Sequence, residues 1–103
     1  VNSKRALRIA LDHPAFAGHF PGMPILPGVV LLDEALHAIE ADLDVDLRQW
    51  RIAAAKFLEF VRPGETLTIE HTLSEGGLIR FTVRVADRPA LTGTLSRAPA
   101  GGT

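Results

Sequence analysis

Residues 29–43 read VVLLDEALHAIEADL, and Leu32, Leu36, Ile39 and Leu43 recur within them at i, i+4, i+7 and i+11. That spacing marks one face of an amphipathic helix. The first turn, Val29 to Leu32, is apolar on every side, whereas Glu40, Asp42 and Asp44 make the far end polar. The helix is therefore expected to enter the core N-terminus first. Upstream, residues 12–28 hold four prolines and three glycines, which forbid regular structure and demand a loop shaped residue by residue. Loops of this length without secondary structure are uncommon in small domains, and when they occur they usually carry function.

Working outward, period-two alternation marks the strands. Leu7, Ile9 and Leu11 alternate with Arg8 and Ala10. Past the helix, strands are expected at Trp50–Phe57, Thr66–Thr72, Leu78–Val85 and Ala90–Leu95, with turns at Arg62-Pro63-Gly64, Gly76-Gly77 and Asp87-Arg88-Pro89. Short turns between strands predict that consecutive strands are antiparallel neighbours. Strand, helix, then four strands gives an α+β domain in which one long helix lies across an antiparallel sheet of about five strands. A single domain over residues 1–97 and a disordered tail over 98–103 are expected.

Composition narrows the partners. Eleven Lys and Arg against twelve Asp and Glu give a net charge of −1, without the basic runs and interleaved aromatics that nucleic acid requires. Cysteine is absent, which excludes disulfides, thiolate zinc sites and cysteine nucleophiles and accords with a cytoplasmic location. The longest apolar stretch is far shorter than a membrane span, and no secretory leader is expected.

The chemistry concentrates in DHPAFAGHFPGMPILPGVVLLDEAL, residues 12–36. Its centre, Gly18-His19-Phe20-Pro21-Gly22-Met23-Pro24-Ile25-Leu26-Pro27-Gly28-Val29, resembles the motif G-H-F-P-G-x-P-x-x-P-G-V of bacterial 3-hydroxyacyl-[acyl-carrier-protein] dehydratases of the FabA/FabZ type. A weaker similarity runs through Lys56-Phe57 and Val61-Arg62-Pro63-Gly64-Glu65. The resemblance implies a hot-dog fold, its sheet wrapped around the central helix, and a homodimer with active sites at the subunit interface. It further implies that His19 is the catalytic base and that an acid fourteen positions later, Asp33, acts from the other subunit. Phe20, Gly22, Pro27, Gly28 and Val29 fall where the family holds substrate. His37 stands where the family often has glutamine. The short chain most resembles the stand-alone dehydratases of aryl-polyene and polyketide-type pathways, relatives of the fatty acid biosynthesis enzymes.

The residue types suit the reaction. Dehydrating a 3-hydroxyacyl thioester means removing a C2 proton, holding charge on the thioester oxygen and protonating the departing C3 hydroxyl. Imidazole titrates near neutrality, which fits His19 as base. Asp33 fits the acid if burial among Val29, Val30, Leu32 and Leu36 favours its neutral form. The helix N-terminus at Gly28 offers free N–H groups to the oxyanion, a role worth about 2.7–4 kcal/mol per donor elsewhere. No metal or cofactor is required. Glu34 and His37 have the i, i+3 spacing of a carboxylate metal site but only one such pair is present.

Plainer readings stand beside these. A loop histidine is usually a packing residue, and Asp33 with His37, Glu40 and Asp44 forms an ordinary exposed stripe. His13 and His71 are expected to be structural. Leu31, Leu32, Phe57 and Phe60 are candidates for the wall of an acyl tunnel, and Arg48, Arg51, Lys56 and Arg62 for contact with an acidic carrier protein. Two other functions remain open: a hot-dog acyl thioesterase, which would need a carboxylate to activate water, and a non-catalytic acyl-binding subunit.

Overall fold

Alternation in residues 66–73 and 79–85 becomes two paired strands, and the rest of the sheet is built out from them. The computed structural model describes residues 2–8, 26, 28–62, 64–74 and 76–97. In chain order the elements are β1 (Asn2–Arg8), α1 (Gly28–Leu43), a 3-10 turn at Leu47–Gln49, β2 (Trp50–Phe57), β3 (Thr66–Leu73), β4 (Ile79–Val85) and β5 (Arg88–Arg97). The strands form one antiparallel sheet in the order β1-β3-β4-β5-β2.

Four expectations change. The first strand begins at Asn2, pairing Asn2 with Thr72 and Arg8 with Thr66; Ile9 and Leu11 lie outside the described residues. Consecutive strands are neighbours for β3, β4 and β5, but β2 pairs with β5 and sits at the far edge from β3. The Arg62-to-Glu65 turn does not close a hairpin: Val61 instead bridges back to Leu26, whose N–H donates to the Val61 carbonyl at 2.7 Å. The last turn is shorter than expected, because Val85 already faces Arg88 and only Ala86 and Asp87 lie between. Ala86 takes a positive φ of 54°, the left-handed geometry that two-residue hairpin turns require.

One face of the sheet carries the core. Leu67, Ile69 and His71 of β3, Ile79, Phe81, Val83 and Val85 of β4, and Leu91 and Leu95 of β5 are buried, while Thr68, Glu70, Thr82 and Arg84 alternate onto the outer face. Opposite Phe81 stands Gly93, and a Cβ there would fall on the Phe81 ring and 3.0 Å from the Ala54 carbonyl. The aromatic ring takes the space that a side chain on β5 would need.

The helix covers this face with Leu31, Ala35, Ala38 and Ile39, and with Leu32, Leu36 and Leu43 half-buried beside them. The buried stripe is therefore rotated by about one residue from the leucine-based expectation, because small Ala35 and Ala38 permit close approach to the sheet. Nor is the first turn enclosed: Val29 is 72% exposed. At its start the helix touches β2, where a Cβ on Gly28 would lie 3.0 Å from the Phe57 ring. At its end, Nε2 of His71, 2% exposed, meets the Asp42 carboxylate at 3.1 Å, a polar tie between α1 and β3. The last helical turn carries no basic residue.

Candidate active site

An apolar cavity of about 280 Å³ opens at the N-terminus of α1, lined by Leu26, Gly28, Leu31, Phe57, Leu58, Glu59 and Phe60. Each wall has a local cause. Gly28 begins the helix without a side chain, so Phe57 from the end of β2 can lie against it. Leu58 is held as β2 ends by donating its N–H to the Ala90 carbonyl at 2.8 Å, which turns Phe60 out to 63% exposure at the rim. Glu59 is the carboxylate among these lining residues, and Arg88 fixes it through Nε at 3.3 Å. The first-turn N–H groups of α1 have no intrahelical acceptor, so the mouth of the cavity is also a place that favours negative charge.

Of the residues anticipated as tunnel wall, Leu31, Phe57 and Phe60 line the cavity and Leu32 does not. Leu26, Leu58 and Glu59 were not anticipated. The run Phe57-Leu58-x-Phe60 after a strand was the available signal, since two exposed aromatics and a leucine in four residues are unusual outside a binding surface.

Asp33 lies one turn into α1 on the side away from the chain's own sheet. Its side chain is 64% exposed, and one carboxylate oxygen is 3.5 Å from Nδ1 of His37, itself 66% exposed. Among the described residues the burial invoked for Asp33 is not supplied: positions 29, 33 and 37 form the outer stripe of the helix, while Val30, Leu32 and Leu36 turn toward the core. Asp33 does not line the cavity. His19, Phe20, Gly22 and Pro27, together with His13, lie outside the described residues.

The basic residues divide. Arg48 is engaged by Asp46, which accepts from Nε at 3.0 Å and Nη2 at 2.9 Å, and this bond holds the Asp46 carboxyl below its ordinary value. Arg51, Lys56 and Arg62 are exposed, and their side chains have no carboxylate partner among the described residues. Glu34 and His37 do not form a metal cluster; among the described residues no group of three or more His, Asp or Glu could hold an ion. Nor, among them, is any helix long and apolar enough to cross a membrane.

With this geometry in hand, comparison with known proteins decides the family. The ApeI-like family, described as ApeI dehydratase, matches residues 2–94. The chain belongs to the ApeI-like dehydratases. This ApeI-like chain is 36% identical to the 3-hydroxyacyl-[acyl-carrier-protein] dehydratase FabZ of Chlamydia caviae, over 87% of its own length and 67% of the relative's. It is 37% identical to FabZ of Chlamydia trachomatis over 64% of its own length and 49% of that protein's. The chain thus spans about half to two thirds the length of these curated relatives. Among solved structures, the dehydratase heterocomplex ApeI:P of Xenorhabdus doucetiae superposes with a TM-score of 0.76 at 26% identity, covering 95% of this chain and 88% of that one. The fold is the hot-dog fold of these dehydratases.

Proposed function

We propose that this ApeI-like chain converts a 3-hydroxyacyl thioester, carried by acyl-carrier protein or coenzyme A, into the trans-2-enoyl thioester. The supporting observation is an apolar cavity whose mouth is the N-terminus of a helix at Gly28. An acyl chain fits such walls, and the thioester oxygen fits the first-turn N–H groups at their end. In this reading Val29, at the exposed start of α1, and Phe20, Gly22 and Pro27, before it, complete the substrate site.

His19 takes the C2 proton, and the C–H electron pair moves toward the carbonyl, placing negative charge on the thioester oxygen at the helix N-terminus. As that charge returns, the C2–C3 double bond forms and the C3–O bond breaks. The hydroxyl leaves as water with a proton from Asp33. The outward aspect of Asp33 favours a site shared between two subunits, in which Asp33 of one chain completes the site holding the other chain's His19. Docking would also supply the burial that a proton-donating carboxyl needs. β2, an outermost strand of the sheet among the described residues, offers the means of assembly: from Arg51 to Phe57 every residue is exposed, including Ile52 and Phe57 on the core side. A second copy of the chain is the simplest partner.

The test is turnover of a short 3-hydroxyacyl/enoyl thioester pair, followed by conjugated-enoyl absorbance, on carrier-protein and coenzyme A substrates. Wild type is expected to interconvert them, and His19→Ala and Asp33→Asn each to lose about 10²–10⁴-fold while retaining their circular dichroism. Full activity in His19→Ala, or inert wild type, sinks the reading. Hydrolysis is distinguished through Glu59: if free thiol appears and Glu59→Gln abolishes it, the chain is a thioesterase.

A further inference from the structure

Asp33 does not stand alone on the outer stripe of α1. Nδ1 of His37, one helical turn further on, lies 3.5 Å from a carboxylate oxygen of Asp33, and the two side chains are 66% and 64% exposed. Glu34 and Glu40 stand three residues to either side of His37, close enough on a helix to be its neighbours. Residues 28–43 contain no Lys or Arg, so His37 is the one side chain of α1 able to carry a positive charge.

An acid must hold a proton before it can give one. A carboxyl in water is ionised near neutrality, whereas imidazole exchanges its proton in that same range. In water, a pair of the two therefore keeps a shared proton on nitrogen, as imidazolium beside carboxylate. Covering such a pair reverses the preference, because two charges stripped of water cost more than two neutral groups. The proton then crosses to the carboxylate. Enclosing substrate against the outer stripe of α1 would load the acid at the moment it is needed.

Resting on the dehydratase reading with Asp33 as its acid, we propose that His37 is a positioning residue that stores the proton Asp33 delivers. The Nδ1–H bond of His37 breaks and an O–H bond forms on Asp33. That O–H bond breaks in turn as the C3 oxygen departs as water with the C3–O electron pair. His19 has meanwhile gained the C2 proton. Solvent removes that proton from His19 and returns one to His37, so each cycle releases water and no net proton. Imidazole suits this place because it gives up a proton from one nitrogen and remains a neutral ring, and its exposure lets water refill it between cycles.

The experiment compares wild type, His37→Gln and His37→Ala in dehydration of a short 3-hydroxyacyl thioester near neutral pH, with and without added imidazole. Glutamine keeps an N–H donor for the carboxylate but has no proton to give, so it separates proton supply from mere support. Both variants are expected to lose at least about ten-fold in kcat, less than the roughly 10²–10⁴-fold ascribed to a general acid itself, with KM little changed. Imidazole should restore His37→Ala in proportion to its concentration, and should do nothing for Asp33→Asn/His37→Ala, which lacks the group it would load. Because position 37 is exposed, the circular dichroism of each variant should match that of wild type. Wild-type kcat in His37→Gln would show that support is enough and overturn the proton role, as would a His37→Ala that imidazole leaves unchanged. Inert wild type sinks the dehydratase reading and the role of His37 with it; active wild type with indifferent His37 variants sinks that role alone.

Discussion

Single residues at either end of α1 determine where it lies. Gly28 admits the Phe57 ring, so Gly28→Ala must move that ring by a few tenths of an ångström. Phe57 is half-exposed and can yield, so the fold should survive with a loss of about 1 kcal/mol or less while the cavity mouth is altered. The expected signature is a raised KM with little change in melting temperature. At the other end, His71→Ala removes a buried ring together with its bond to the Asp42 carboxylate; about 2–4 kcal/mol of stability should be lost in urea unfolding. Gly93→Ala should cost about 1–3 kcal/mol, because the added Cβ would fall on the buried Phe81 ring and 3.0 Å from the Ala54 carbonyl. Asp46 caps the 3-10 turn, accepting the Arg48 N–H, and the Arg48 side chain depresses its carboxyl below 3.8. A depressed carboxyl stabilises above the unfolded-state value and loses that contribution as pH falls through the folded one. Any stability difference between wild type and Asp46→Asn should therefore be present at neutral pH and vanish in strong acid.

Among the elements, legibility followed the kind of signal. β3 and β4 were readable almost to the residue, because strict alternation reports a sheet with one buried face. Leu67, Ile69, Ile79, Phe81 and Val83 all went inside as that pattern requires. The helix was readable in extent but not in rotation. Leucines dominate the pattern, yet Ala35 and Ala38 set the contact, since close packing selects for small volume as well as for hydrophobicity. The position of β2 was hidden because sequence proximity to β3 through a Pro-Gly turn looks like a hairpin. The contact that overrides it, between Val61 and Leu26, joins residues 35 apart. In the site, Gly28 and Phe57 were legible from the motif and the aromatic run. The exposure of Asp33 was not, because the leucine pattern of its segment pointed to a different buried stripe from the one that Ala35 and Ala38 set.

For the whole molecule, the shared site makes a sharper test than single variants. If His19 and Asp33 act from different subunits, mixing inactive His19→Ala with inactive Asp33→Asn rebuilds one intact site in each mixed dimer. Random exchange should then restore up to about a quarter of wild-type activity. If both residues act within one chain, the mixture stays inactive. The charge layout bears on the same assembly: residues 9–47 contain no Lys or Arg, while β2, β4 and β5 supply Arg51, Lys56, Arg80, Arg84, Arg88 and Arg97. Helix layer and sheet are thus of opposite sign although the total is −1.

The acidic end of α1 has a consequence in time as well as in space. A helix dipole leaves its C-terminus negative, and Glu40, Asp42 and Asp44 add to that charge where a free helix would want lysine or arginine. Sixteen residues of this composition are close to the length at which isolated helices are marginal. α1 is therefore a poor seed. The β3–β4–β5 meander, with local turns and face-to-face apolar pairs, can form first and provide the surface on which the helix condenses. Substitutions in the meander should slow folding, whereas Ala38→Gly in α1 should chiefly hasten unfolding.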